Sequence, residues 1–339
     1  MATKVGVCGL GAMGGGMAKH LIKEGFPVIG FDIYQPLVDK LIEAGGKAAA
    51  TPAETAKEAD VLLIMVTSSA QVSSVLFDDT MFGAAAVHQL RTNAAIIVSS
   101  TVPPDYCNEV RARLDDLKRP DVYLLDCPVS GGTPRAAEGT LSIFSSGPLD
   151  GLQKAHPVLK ALSAVLYQIP GGIGFGSKAK MCHQVLPEVE IALAAEAMAL
   201  AARAGLNTKE VLDAVQASDG SSWINGNRIP HMLEGDKTIY SAIPNSQKDS
   251  VREAPPFTNA ISLMLRILTI VYYSQYLETC ILSRVPHGDC GAGLPGRYAR
   301  WLGQGRRFYP MAALPSGLSR GYHPPAYSTR AGRRSCCRA

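Results

Sequence analysis

The feature that most constrains the fold of this chain is a glycine-rich turn close to the first residue. An apolar run over residues 4–8 is followed by the hexapeptide GLGAMG at 9–14 and then by an amphipathic stretch. This order predicts a buried strand, a tight turn and a helix. Asp32 comes directly after a second apolar run, residues 27–31. A strand, glycine turn and helix, with an acidic residue after the next strand, is the pattern of a dinucleotide-binding unit.

The turn predicts a site for the diphosphate of NAD. The glycines of such a turn let a diphosphate approach the unpaired N–H groups at the helix N-terminus. The cofactor-binding residues predicted here are Gly9, Leu10, Gly11, Ala12, Met13 and Gly14. Asp32 is expected to accept hydrogen bonds from ribose hydroxyls and to repel a 2′-phosphate, and no Arg follows it in residues 33–35. NAD is therefore favoured over NADP. A tight turn without a ligand is the alternative interpretation.

Strand-like and helix-like segments alternate as far as residue 169. The further apolar runs are residues 61–66, 94–99, 122–129, 141–145 and 165–169. Such alternation predicts an α/β fold, a doubly wound and mostly parallel Rossmann sheet. We assign residues 1–175 to this NAD-binding domain.

A long helix is predicted beyond the sheet, over residues 177–204, where an Ala-rich stretch contains no glycine. Lys180 and His183 are three residues apart, so they lie on one face near its start. Pro187 removes one backbone hydrogen bond and predicts a kink. Residues 176–250 are expected to form this helix and the start of an incomplete all-α domain.

The last quarter of the chain differs in composition. Residues 251–339 hold 12 Arg, no Lys and 3 Asp or Glu, a net charge of +9, whereas residues 1–250 have a net charge of −5. We expect an atypical, poorly ordered basic tail, without the regular spacing or aromatic interleaving of a nucleic-acid site. Residues 260–277 are apolar but contain Arg266, which favours a buried or amphipathic helix over a membrane span. A translated intron or shifted reading frame is a further hypothesis for the tail.

The composition indicates which class of protein the chain belongs to. With 47% hydrophobic and 18% charged residues, the chain is typical of a globular protein. Its 8 cysteines are scattered without the spacing of a metal site, which predicts reduced thiols and no bound metal. No signal-peptide pattern is visible at the start, so a cytoplasmic location is expected.

Four motifs resemble the β-hydroxyacid dehydrogenase family. They are GLGAMGGGMAKHL (9–21), DCPVSGGTPRAAEGTL (126–141), GSKAKMCHQ (176–184) and AAEAMALAARAGL (194–206). The family includes 3-hydroxyisobutyrate, tartronate semialdehyde and L-threonate dehydrogenases, and the resemblance covers residues 1–249. Where the family usually has Lys-x-x-Asn, this chain has Lys180-x-x-His183, which is most similar to the L-threonate dehydrogenase branch.

The resemblance implies a reaction and a set of roles. It implies hydride transfer between NAD and a small hydroxy acid, with Lys180 as general acid/base and His183 as a second catalytic side chain. Ser130, Gly131 and Gly132 would bind the substrate carboxylate. Backbone N–H groups and a hydroxyl can satisfy an anion in this way without a counter-charge. Alternatively the glycines only join two strands, Lys180 is a surface lysine and His183 satisfies a hydrogen bond in the core.

The resemblance also implies further cofactor contacts. Thr67 and Ser68 follow one predicted strand, Thr101 follows the next, and Lys248 resembles a lysine that approaches the cofactor. The resemblance implies a homo-oligomer if the C-terminal domain folds. We expect neither a nucleic acid nor a membrane as partner. Two other functions stay open: an NAD-binding protein without turnover, and an imine or aldehyde reductase of the same fold.

Overall fold

The computed structural model describes residues 2–236 of the chain. The strands are β1 Val5–Cys8, β2 Val28–Phe31, β3 Lys47–Ala48, β4 Val61–Ile64, β5 Ala95–Val98, β6 Tyr123–Asp126, β7 Val129–Ser130, β8 Leu141–Ser145 and β9 Ser163–Gln168. The helices are α1 Ala12–Lys23, α2 Gln35–Glu43, α3 Pro52–Lys57, α4 Ser69–Phe77, α5 Tyr106–Asp116, α6 Gly132–Glu138, α7 Leu149–Ala161, α8 Phe175–Arg203, α9 Thr208–Gln216 and α10 Trp223–Glu234. The cofactor prediction for Lys248 and the predictions for residues 251–339 lie outside this range.

The first six strands form one parallel sheet in the order β3-β2-β1-β4-β5-β6. The chain starts at β1 in the middle, proceeds to one edge and then returns to build the other half. The strands β1, β4 and β5 are apolar and buried along their whole length, because helices cover both faces of the sheet. The predicted doubly wound Rossmann fold is thus confirmed.

The apolar run at residues 122–129 belongs to two strands. β6 ends at Asp126 and closes the edge of the parallel sheet, whereas β7 pairs antiparallel with β8 in a separate sheet of order β7-β8-β9. Between them lies Pro128, which has no N–H to donate to a strand ladder. The prediction of one continuous strand was wrong. The consequence is that Ser130 begins its loop only four residues after the parallel sheet ends.

Helix α8 connects the sheets to the helical part of the chain. It has 29 residues and is about 43 Å long, close to the predicted span. The helix runs through Pro187 without a break in its helical backbone. α9 and α10 pack on its second half, where the core consists of Ala194, Met198, Leu212 and Ile229. The predicted all-α region beyond the Rossmann sheet is confirmed.

No helix between residues 2 and 236 combines the length and the apolar character needed to cross a membrane.

Candidate active site

The glycine turn between β1 and α1 is tightly built but leaves one position open. Gly9 has φ +94°, and a Cβ atom there would collide with the carbonyl oxygen of Met65. A Cβ atom on Gly14 would collide with the carbonyl oxygen of Gly9. By contrast, a Cβ atom on Gly11, at the N-terminus of α1, would meet nothing within 4 Å. The first turn of α1 also carries no acidic side chain, so an anion can approach it.

Asp32 lies beside this turn, just after β2. Its Oδ2 accepts a hydrogen bond of 2.7 Å from the backbone N–H of Leu10, and its Oδ1 accepts one of 2.9 Å from Tyr34. These bonds fix the carboxylate next to the start of α1. Each carboxylate oxygen keeps lone pairs for a further donor, which suits ribose hydroxyls.

Two more predicted cofactor positions follow β4. The side-chain oxygen of Gln71 accepts hydrogen bonds from Thr67, at 2.9 Å from its N–H and 2.7 Å from its hydroxyl. Ser68 is the N-cap of α4 and accepts a 3.2 Å bond from the N–H of Gln71. Thr101 follows β5. All three follow the carboxyl ends of parallel strands, as the glycine turn does, which is where open α/β sheets bind their ligands.

The SerGlyGly loop starts in β7 and turns sharply into α6. Gly131 has φ +137° and Gly132 has φ +70°, both in the region that side-chain-bearing residues rarely adopt. A Cβ atom on Gly131 would also lie 2.6 Å from Cδ of Arg135. The backbone of this loop therefore requires both glycines, whether or not a ligand is bound.

The loop and the start of α8 meet through Ser130 and His183. The hydroxyl Oγ of Ser130 is 3.3 Å from Nε2 of His183. The ring of His183 contacts that of Phe144 edge to face, with centroids 5.5 Å apart. One turn earlier on α8, Lys180 is buried, with 5% of its surface exposed. Burial excludes the surface-lysine interpretation of Lys180.

The surroundings of His183 favour its neutral form. Burial lowers the pKa of this imidazole below 6.5, and the nearby ammonium of Lys180 lowers it further. A hydrogen bond with Gln184 opposes these two effects. At neutral pH the ring is uncharged, so one nitrogen can donate a hydrogen bond while the other accepts one.

A further carboxylate near Ser130, His183 and Lys180 is buried and had no role predicted from the sequence. Asp126, the last residue of β6, is fully buried and bonds to the first turn of α8 through Ser177. The motif DCPVSGGTPRAAEGTL begins with this residue. An acidic residue that ends a buried apolar strand was the available signal, since buried carboxylates require hydrogen-bond partners.

Two family models match the chain in succession. Residues 4–171 match the NAD binding domain of 6-phosphogluconate dehydrogenase. Residues 174–255 match a model described as NAD-binding of NADP-dependent 3-hydroxyisobutyrate dehydrogenase.

Two bacterial L-threonate dehydrogenases are similar to this chain. L-threonate dehydrogenase of Cupriavidus necator is 40% identical over 249 residues, which cover 74% of this chain and 82% of the relative. L-threonate dehydrogenase of Escherichia coli is 38% identical over 72% of this chain and 79% of its own length. The chain belongs to the 3-hydroxyisobutyrate dehydrogenase family. A solved 3-hydroxyisobutyrate dehydrogenase from Salmonella typhimurium matches with a TM-score of 0.68 and 35% identity over 80% of this chain and 94% of that chain.

Membership of the 3-hydroxyisobutyrate dehydrogenase family makes this chain an NAD(P)-dependent hydroxyacid dehydrogenase, an oxidoreductase that acts on a small molecule. The residues around the glycine turn fit the cofactor. Open space at Gly11 leaves room for a diphosphate, and Asp32 carries an acceptor where the ribose would lie.

Proposed function

We propose that this dehydrogenase oxidises a four-carbon sugar acid, with L-threonate as the first candidate, and that Lys180 is its general acid/base. The observation that carries the proposal is the 3.3 Å contact between Ser130 and His183, which joins the glycine loop to the face of α8 that holds Lys180. The names of the two bacterial relatives support the choice of L-threonate.

The SerGlyGly loop binds the carboxylate of the substrate in this proposal. The hydroxyl of Ser130 and the N–H groups of Gly131 and Gly132 donate to the carboxylate oxygens. Charge-assisted hydrogen bonds of this kind are stronger than those between neutral groups. A substrate without a carboxylate would leave these donors unused.

Lys180, as the neutral amine, takes the proton from the hydroxyl that is oxidised and becomes an ammonium. NAD, when bound, would supply the acceptor for the hydride that leaves the carbon bearing this hydroxyl. The amine nitrogen must come within about 3 Å of that hydroxyl oxygen for proton transfer. His183, one turn further along α8, accepts or donates a hydrogen bond at a second hydroxyl, which a sugar acid has and a simple hydroxy acid lacks.

The cofactor-binding residues extend along the same edge of the sheet. We propose that Asp32 selects NAD, that Thr67, Ser68 and Thr101 contact the nicotinamide half, and that Lys248 approaches it. We propose the same division of the chain as before, with residues 1–175 as the NAD-binding domain and residues 176–250 as the connecting helix and the start of the all-α domain. The four unpaired cysteines among the described residues agree with a reducing, cytoplasmic location.

The experiment is an absorbance assay of NADH formation with L-threonate and a panel of C3 to C6 hydroxy acids. The full chain is expected to oxidise L-threonate, and Lys180→Ala is expected to lower kcat at least about a hundredfold, because removing a general base costs a factor of this order. Calorimetry with NAD should give the same Kd for both proteins. Lys178→Ala, on the same helix, is the matched control and should keep its activity.

Three results would contradict the proposal. Turnover by Lys180→Ala would reject the role of this lysine. NAD binding without turnover of any acid would select a binding protein. Reduction of imines or aldehydes that lack a carboxylate would select a reductase of this fold.

A further inference from the structure

We propose that Asp126 is a positioning residue, which holds the first turn of α8 against the end of β6 and so sets the position of Lys180. The inference rests on the proposed function, because it assigns Lys180 to the reaction. Asp126 itself is assigned no contact with the substrate; it bonds to α8, the helix that carries Lys180.

The contacts of Asp126 join three elements at one point. Its Oδ2 accepts a 2.7 Å hydrogen bond from the N–H of Ser177, and its Oδ1 accepts a 2.7 Å bond from the Ser177 hydroxyl. The hydroxyl of Ser146, which follows β8, lies 3.4 Å from Oδ2 of Asp126. That hydroxyl also accepts a 2.8 Å bond from the N–H of Gly176. Consecutive N–H groups of α8 are thus bound to the ends of β6 and β8.

The first turn of α8 packs so closely against the ends of β6 and β8 that no side chain fits between them. A Cβ atom on Gly176 would lie 2.6 Å from the carbonyl oxygen of Asp126 and would collide with that of Phe144. The helix backbone therefore lies directly on the strand ends, with no side chain between them. A small displacement of α8 would break several hydrogen bonds at once.

Ser177 connects the hydrogen bonds of Asp126 with the position of Lys180. Ser177 precedes Lys180 by three residues, so both lie on one face of α8 and about 4.5 Å apart along its axis. A rigid helix transmits a displacement of its first turn directly to Lys180. A misplacement of about 1 Å at a reacting group costs up to about a hundredfold in rate.

The charge of Asp126 suits this position. Burial raises the pKa of its carboxyl, and the bonds from Ser177, Ser146 and the Cys107 thiol oppose that rise. The N-terminus of a helix carries a partial positive charge and unpaired N–H groups, which stabilise a carboxylate placed there. Helix N–H groups and hydroxyls thus replace the hydrating water that burial removes from this carboxylate.

Two neighbouring serines provide a matched test. Ser146→Ala removes the hydroxyl that joins Gly176 to Asp126. Ser145→Ala removes an equally buried hydroxyl, which donates a 3.0 Å bond to the carbonyl oxygen of Tyr167 within the small sheet. Asp126→Ala removes the carboxylate, and Asp126→Asn keeps its shape and its capacity to bond to Ser177. Each full-length variant is measured by amide hydrogen exchange at residues 176–180 and by kcat and KM with L-threonate and NAD.

We expect Ser146→Ala and Asp126→Ala to increase exchange at residues 176–180 and to lower kcat about tenfold or more, with the KM for NAD within about twofold of the wild-type value. Ser145→Ala should change neither quantity more than about twofold, and Asp126→Asn should recover most of the loss. Equal behaviour of the two serine variants, or faster exchange with unchanged kcat, would overturn the inference alone. Turnover by Lys180→Ala would overturn the proposed function, and the inference with it.

Discussion

At the scale of single residues, the site depends on polar side chains placed where water is scarce. His183 is half-buried, next to the ammonium of Lys180, and both effects lower the pKa of the imidazole. Asp126 is fully buried, and burial raises the pKa of its carboxyl. In each case burial favours the neutral form, but the hydrogen bonds that Asp126 accepts from Ser177 and Ser146 stabilise its carboxylate.

His183→Asn is predicted to change how stability depends on pH. Because the folded-state pKa of His183 lies below 6.5, its neutral form stabilises the fold. That contribution is complete above about pH 6.5 and is lost as the pH falls through the folded pKa. The difference in unfolding free energy between wild type and His183→Asn should therefore shrink below about pH 6.5, as measured by urea unfolding. A difference between wild type and His183→Asn that stays constant with pH would contradict the prediction.

At the scale of elements, the turn from β1 to α1 contains one glycine that the fold requires and one that leaves space for the cofactor. Gly14 is required by the fold, because any side chain there collides with the carbonyl oxygen of Gly9. Gly11 faces open space and has an ordinary φ of −59°. The two glycines therefore differ in what a methyl group would disturb.

Gly11→Ala is predicted to weaken NAD binding about tenfold while the melting temperature stays within about 2 °C, because the added methyl group occupies only the space left for the diphosphate. Gly14→Ala should lower the unfolding free energy by about 2–4 kcal/mol through backbone collision. Thermal unfolding and fluorescence titration with NAD measure both effects. Unchanged NAD affinity in Gly11→Ala would mean that the turn has no role in binding.

The elements with a strong local signal could be predicted from the sequence. Helix α8 was expected at residues 177–204 and is observed at Phe175–Arg203, because its composition and length leave no alternative. Strand β3, Lys47–Ala48, was missed because its two residues are exposed and carry no apolar pattern. The run at 122–129 was predicted as one strand because an apolar run shows burial but not a change of sheet.

The site was predictable only in part, for a physical reason. Its glycine turn and Asp32 are close in sequence and follow from local pattern. Ser130 and His183 are 53 residues apart; the family resemblance gave each a role but did not predict their contact. The local pattern could indicate that Asp126 is a buried carboxylate, but not that its partner is Ser177, which is 51 residues away.

At the scale of the whole molecule, α8 carries an apolar stripe that no other part of residues 2–236 covers. Leu186, Leu193 and Leu200 are spaced seven residues apart and are 63%, 63% and 70% exposed. Residues at this spacing lie on one face of a helix and form the contact surface of paired helices. We propose that a second copy of the chain covers this stripe, in keeping with the homo-oligomer expected from the resemblance.

Leu193→Glu is predicted to convert the oligomer to a monomer, because the buried carboxylate would lack a partner. Light scattering coupled to size-exclusion chromatography gives the mass of each protein. Leu149→Glu, which adds the same charge at an exposed leucine of α7, should leave the mass unchanged. A wild-type monomer, or an oligomer that survives Leu193→Glu, would contradict the proposal.

The short distance between β6 and β7 restricts how this enzyme could diverge. Only Cys127 and Pro128 separate the edge of the cofactor sheet from the strand that leads into Ser130. The SerGlyGly loop, which we propose to bind the substrate carboxylate, can therefore hardly change without disturbing the sheet that binds the cofactor. A change of preferred acid would then have to arise at other positions, such as His183, while the SerGlyGly loop stays unchanged.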